Sequence, residues 1–241
     1  MLKHLLIISC LAMLSNIASA NNDELSQALD VIDTILHDNA EFAAEHHHAY
    51  FEKFSKIQHP RATVVTCADS RVHDQALEHS PDNDLFIVRN IGNQMGTAEG
   101  SVEYGVHHLH TPLLLIIGHS ACGAIKAASS DYSKESPAIK RELSTIVVKH
   151  RISPEDEEQV LEGVKDNVNY QIAIAQKKFQ QELKDGHLVI IGAVYDFTGV
   201  LHHGEGRLTI TNVNGDTNNN HIRKFISSTK HHKPSLRKHH S

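Results

Sequence analysis

The chain has three cysteines in 241 residues and no CxxC pair, so the usual dithiol redox motif is missing. It has no uninterrupted apolar run of about 18 residues, so nothing predicts a membrane span. Its formal net charge of −6 and pI near 6.4 leave no surplus of positive charge for a phosphate backbone, and nucleic acid is set aside as a partner. Tryptophan is absent altogether, so no site in this chain can use an indole. What stands out instead is histidine: protonating six of the 21 would cancel the net charge of −6, and mild acid should reverse its sign. The 40% hydrophobic content is ordinary for a soluble protein, and the length suits one α/β domain with a full core.

Lys3, the apolar stretch Leu5–Leu14, and then Ala18, Ser19 and Ala20 have the layout of a secretory signal with an A-x-A cleavage site. The sequence therefore predicts a signal peptide over residues 1–20 and an exported, periplasmic or secreted, mature protein. Ile7 to Cys10 resembles a lipoprotein box, but too little apolar sequence precedes Cys10 for an h-region. Cleavage after Ala20 would leave only Cys67 and Cys122. The expected organisation is a domain over 21–216, whose first part, 21–59, is a helical arm, followed by a His-rich basic tail over 217–241.

Leu25, Ala28, Leu29, Ile32, Ile35 and Leu36 recur at helical spacing in the arm, up to a polar break at His37–Asn39, and a second helix is expected over Ala40–Ile57. Such a stripe must pack on its own sheet or on a partner subunit. Beyond Pro60 come short apolar runs, Ala62–Thr66, Leu85–Val88 and Leu113–Ile117, alternating with helical patterns, then a fourth run at His187–Tyr195 and a fifth, edge and antiparallel, at Arg207–Asn212. The expected fold is α/β: a central, mostly parallel sheet of about five strands flanked by helices, with the N-terminal helical arm. Ser153, Pro154 and the acids after them predict a helix start, running to about Lys184. The tail from Thr217 shows little apolar periodicity and is expected to stay mobile.

In parallel sheets functional groups gather beyond the carboxyl ends of the strands. Cys67 lies at the end of the first run, and His119 and Cys122, spaced H-x-x-C at a helix start, follow the third. Thiolate, imidazole and thiolate form a soft donor set suited to Zn2+, and three protein ligands leave the fourth position of a catalytic zinc. Asp69 can fill that position, closing the site, or stand beside it. Arg71, two residues on, can grip Asp69 with a bidentate guanidinium and keep it ionised.

CADSR at Cys67–Arg71 and GHSACGAI at Gly118–Ile125, with FIVRNIGN at Phe86–Asn93 and GAVYDF at Gly192–Phe197, resemble the β class of carbonic anhydrases. The resemblance covers roughly Pro60–Thr211. It implies that Cys67, His119 and Cys122 bind zinc and that Asp69 and Arg71 form a catalytic dyad, with Asp69 a metal ligand only in a closed state. It also implies that a backbone amide near Asp69 or Gly123 helps hold substrate. The implied reaction is reversible hydration of carbon dioxide to bicarbonate and a proton through zinc-bound hydroxide, and two thiolate ligands should move its optimum above neutral pH. Carbon dioxide is small and apolar, so Phe86, Val88, Ile91 and Tyr104 are the expected pocket lining, with Gln58 and Gln94 as polar members. The family is built on homodimers, with homotetramers among them, and shares its sites across the interface. Some members close the metal site through an allosteric bicarbonate site using a tryptophan, an arginine and a tyrosine; Tyr195 matches the tyrosine, but the missing tryptophan argues for an enzyme without that control. His73 and His46–His48 are candidate proton relays, with nothing to choose between them.

Two rival readings keep the fold and the metal: a non-catalytic zinc protein that binds a small molecule or partner, and a hydrolase of a carbon dioxide analogue such as carbon disulfide. The joint presence of Asp69 and Arg71 speaks against the first; pocket shape would decide the second.

Overall fold

The computed structural model describes the backbone of residues 2–229 and the side chains of residues 23–229, and it falls into two compact units, Met1–Ile57 and Gln58–Ser241. The first unit is a long helix, α1 (Leu2–Glu45), and a short one, α2 (His48–Glu52). The predicted signal segment forms the first part of α1, and its side chains lie outside the described residues. The helix does not break at His37–Asn39, because polar residues without glycine or proline cost an exposed helix little. It ends only at Glu45, and the second predicted helix is reduced to five residues, with Tyr50 packed edge-on against Phe51 and Phe54 at 5.1 and 5.2 Å. The apolar stripe of Leu25, Leu29, Ile32, Ile35 and Leu36 is exposed, each residue by 52–64%.

Among the described residues the second unit is built on five strands in the order β2-β1-β3-β4-β5: β1 (Ala62–Cys67), β2 (Leu85–Asn90), β3 (Leu113–His119), β4 (Val189–Asp196) and β5 (Arg207–Val213). The first four are parallel and β5 is antiparallel to β4, as the sequence predicts. Between them lie α3 (Glu99–Glu103), which runs into a π-turn at Tyr104–His108, then α4 (Gly123–Ala128), α5 (Pro137–Leu143), α6 (Glu157–Lys178) and α7 (Gln180–Lys184).

The main core forms where α6 lies on β3 and β4. Val160, Leu161, Val164, Val168 and Ile172 of the helix are buried against Leu114, Ile116, Ile190 and Val194 of the sheet, at about 1.5–3 kcal/mol for each large aliphatic side chain. The approach is so close that a Cβ on Gly118 would lie 2.5 Å from Val164 Cγ1 and 2.9 Å from Val168 Cγ2. The opposite face carries Ala62, Val64, Ile117 and Tyr195 and is packed by Val72, Ala76 and Leu77, with Leu85, Ile87, Leu113 and Leu115 only partly buried.

Two predicted boundaries move. The cap of α6 is Asp156, not Ser153: its carboxylate accepts from Gln159 N at 3.1 Å and Gln159 Nε2 at 2.6 Å, while Gln159 Oε1 accepts from Ser153 N. This reciprocal box makes Ser153–Asp156 a turn before the helix. The helix also stops short of Lys184, because Phe179 leaves helical geometry (φ −106°, ψ 36°) to sit fully buried in the core, and α7 starts afresh. Nor does the predicted tail lack structure from its start: α8 (Asn219–Thr229) packs on β5, with Ile222 buried and Asn218 Oδ1 accepting from Asn220 N. Residues 230–241 lie outside the described residues.

Candidate metal centre

Cys67 is the last residue of β1 and His119 the last of β3, and these neighbouring parallel strands pair Thr66 with Ile117, so both residues emerge side by side at the carboxyl edge of the sheet. The chain then turns through Ala121 at φ +52° and sets Cys122 as the residue preceding α4. The two sulfurs and an imidazole nitrogen lie within 4.8 Å of one another, on residues that are all buried. Both cysteines are free thiols.

The imidazole is oriented for a cation. His119 Nδ1 lies 2.9 Å from the Ser120 carbonyl, which can only accept, so Nδ1 carries the hydrogen and Nε2 the lone pair. Nε2 is buried and has no hydrogen-bond partner among the described residues. An orphaned buried acceptor ordinarily costs about 1–3 kcal/mol, and the two cysteine sulfurs lie within 4.8 Å of it. Cys122 donates to Cys67, an interaction that outweighs burial and, with the Gly92 amide, holds the Cys67 thiol well below its ordinary value. Sharing that proton with Cys67 pushes Cys122 well up, as do its burial and the nearby thiolate. A divalent soft cation would satisfy all three donors at once, and the set fits zinc.

Asp69 stands beside this group rather than in it. Arg71 donates to it from Nε at 2.9 Å and Nη2 at 2.7 Å, and the Arg71 backbone N–H adds a third bond at 3.0 Å. This guanidinium clamp, despite partial burial, holds the Asp69 carboxyl well below the usual carboxylate range. Asp69 Oδ2 is then 3.8 Å from His119 Nε2. Arg89 fixes the segment that carries the dyad by donating to the carbonyls of Cys67 at 3.2 Å and Val72 at 2.6 Å, and to Asp74.

The wall next to Cys67 is the loop after β2. Gly92, at φ +75°, turns its amide toward the Cys67 sulfur, a conformation that favours glycine. Two buried carboxamides of α6 hold this loop: Asn167 Nδ2 donates to Gly92 O at 2.8 Å, and Gln171 Oε1 accepts from Met95 N at 2.8 Å. Sequence reading missed both, although polar residues at i and i+4 on an apolar helix stripe were the available signal. It likewise passed over Asp196, a fully buried carboxylate at the end of β4 that accepts from Leu201 N at 2.7 Å, Gly199 N at 2.9 Å and Thr198 N at 3.2 Å. Burial pushes its pKa up, but those amides and the hydroxyls of Ser120 and Thr198 prevail and hold it below the ordinary value.

The expected pocket residues separate. Gly123 opens α4 next to Cys122, with nothing near where a Cβ would be, and Ile91, 38% exposed, adjoins Gly92. Val88 pairs with Val65, two residues back from Cys67. Phe86 pairs with Thr63, about 13 Å down the strand from Cys67, and meets Tyr104 with ring centroids 5.9 Å apart. Within one chain the structure thus joins Phe86 to Tyr104 but not to the metal centre. Gln94 is fully buried and its amide is spent on the loop, donating to Ile91 O and Glu142 O and accepting from Thr145, so it supports the wall rather than lining a pocket. Gln58 and His73 are exposed, and His73 Nδ1 lies 3.4 Å from Gln75 Oε1.

Comparison with known proteins places this geometry. The family described as carbonic anhydrase matches residues 62–201. A carbonic anhydrase of Mycolicibacterium smegmatis is 31% identical over 175 residues, covering 67% of this chain and 80% of that one. A carbonic anhydrase of Synechococcus elongatus is 40% identical over 87 residues, covering 33% of this chain, which spans only 32% of that relative's length. Among solved structures, the β-carbonic anhydrase CcaA superposes with a TM-score of 0.64 at 23% identity, over 77% of this chain and 95% of that one.

Proposed function

The chain belongs to the carbonic anhydrase family and has the fold of its β class, and from that premise we propose that it catalyses the reversible hydration of carbon dioxide to bicarbonate and a proton, with zinc held by Cys67, His119 and Cys122. The observation that carries the reading is the bare, buried Nε2 of His119 between two thiols, with an ionised Asp69 held 3.8 Å away. Zinc in such a site supplies Lewis acidity that makes water nucleophilic near neutral pH.

The other roles belong to the chain itself. Asp69, ionised and acceptor-only, takes a hydrogen bond from the attacking water and so aligns it; the same oxygens accept from the hydroxyl of bicarbonate in the reverse direction. Arg71 keeps Asp69 off the three donors by engaging both its oxygens, so the dyad holds the site open. The Ser120 carbonyl fixes the tautomer that presents Nε2. Ile91 and Gly123 border the site, one supplying apolar surface and the other backbone that no side chain covers. The exposed stripe of α1 and the partly covered sheet face support a homodimer or homotetramer, in which Phe86, Val88 and Tyr104 would complete a neighbour's pocket. The signal pattern at residues 1–20 supports export to the periplasm.

The test is zinc analysis with stopped-flow carbon dioxide hydration on the wild type, Cys122→Ser and Asp69→Asn. We expect one zinc per chain and rapid hydration in the wild type, loss of both in Cys122→Ser, and loss of hydration with zinc retained in Asp69→Asn. A zinc-replete wild type without hydration would overturn the assignment.

A further inference from the structure

Phe197 follows β4 directly and is only partly buried, yet its ring meets both halves of the centre. It stacks on His119 with centroids 5.7 Å apart and planes 24° apart, and the Arg71 guanidinium carbon lies 4.7 Å from the ring centroid. The backbone holds the ring in place: Phe197 N and Thr198 N both donate to Ser120 Oγ, at 3.1 and 3.3 Å, and the buried Asp196 carboxylate gathers the amides of the next turn. Ser120 is also the residue whose carbonyl fixes the His119 ring, so imidazole and aromatic ring share one backbone support. The Arg71 side chain is half exposed, at 51%, and besides gripping Asp69 it donates to Ala121 O at 3.3 Å. A long side chain so exposed needs a surface to lie on if it is to keep one rotamer, and the π face of Phe197 is that surface.

We propose that Phe197 is a positioning residue for the dyad: its ring, itself seated on His119, holds the Arg71 guanidinium in the orientation that grips both oxygens of Asp69. A plain apolar filler would pack equally well. What distinguishes the aromatic ring is its negative face, which attracts a cation and favours a flat one lying over it. The kinetic part of this inference rests on the proposed hydration reaction; the structural part does not.

The experiment replaces Phe197 with mono-, di- and trifluorinated phenylalanine, which keep the ring's shape while draining its negative face, together with Phe197→Leu and Phe197→Tyr. Two readouts are followed on the zinc-loaded protein: the hydration rate, and the Arg71 Nε–H NMR signal, identified by its loss in Arg71→Lys and shifted upfield by the ring beneath it. The expected result is a stepwise loss across the fluorinated series, reaching about tenfold in rate for the trifluorinated ring and for Phe197→Leu, with the Arg71 signal broadening in parallel and Phe197→Tyr retaining both. The inference is overturned if the trifluorinated protein keeps wild-type rate, whatever its Arg71 signal, or loses rate with that signal unchanged. The fluorinated rings are nearly isosteric, so the series remains decisive even if Phe197→Leu fails to fold. If the wild type shows no hydration, the functional assignment fails, while the Arg71 signal across the series still reports whether the ring orders the guanidinium.

Discussion

Replacing Asp196 by asparagine changes one atom of a fully buried side chain and should destabilise the protein substantially. One carboxylate oxygen accepts from Leu201 N at 2.7 Å, the other from Gly199 N at 2.9 Å and from the amide and hydroxyl of Thr198 at 3.2 and 3.3 Å. An asparagine can present oxygen to only one of these groups, and its NH2 then confronts amide donors on the other side. The loss is a charge-assisted hydrogen bond plus a buried unpaired N–H, together about 2–4 kcal/mol, which for a chain of this size lowers Tm by about 5–15 °C. Calorimetry and urea unfolding at pH 7 measure it. The sign with pH follows from the depressed native pKa of Asp196. Its contribution is complete above the unfolded value of about 3.9 and is lost as pH falls through the lower native value, so wild-type stability should fall more steeply in acid than that of the variant. A variant within about 0.5 kcal/mol of wild type at pH 7, or with an equally steep acid limb, would refute the argument.

Gly118→Ala should cost about 1–3 kcal/mol in urea unfolding, because the added methyl group would meet Val164 Cγ1 at 2.5 Å where helix and sheet are already in contact. Asn167→Ala removes the donor to Gly92 O and the acceptor for Gln171 Nε2, and should weaken zinc retention about 10–100-fold in a chelator competition while the protein still folds.

The sheet was legible because its strands are near-continuous apolar runs whose glycine-rich or polar ends mark the edge where chemistry gathers, and the antiparallel fifth strand was legible from its alternation. The donor triad could be read from spacing plus topology, since Cys67 and His119 close adjacent strands. What escaped were features decided by competition between equally plausible local signals. Ser153 and Asp156 are both good caps, and only Gln159 reaching back selects the second. Phe179 reads as one more helical residue until the core claims its ring. Asn167, Gln171 and Asp196 look like surface polar residues in a pattern, because their partners are main-chain groups far along the sequence or hidden in a turn. The tail helix was missed although Ile222, Phe225 and Ile226 stand at helical spacing, because the asparagine, histidine and basic residues around them read as a solvated tail.

The absence of any side chain at position 118 lets α6 rest directly on the strand whose next residue is His119. The backbone that carries the imidazole therefore takes its position from the hydrophobic interior rather than from a pliable surface loop. A coloured substitute metal at this centre would act as a gauge of how well helix and sheet are seated, registering disturbances of the interior long before the protein came apart.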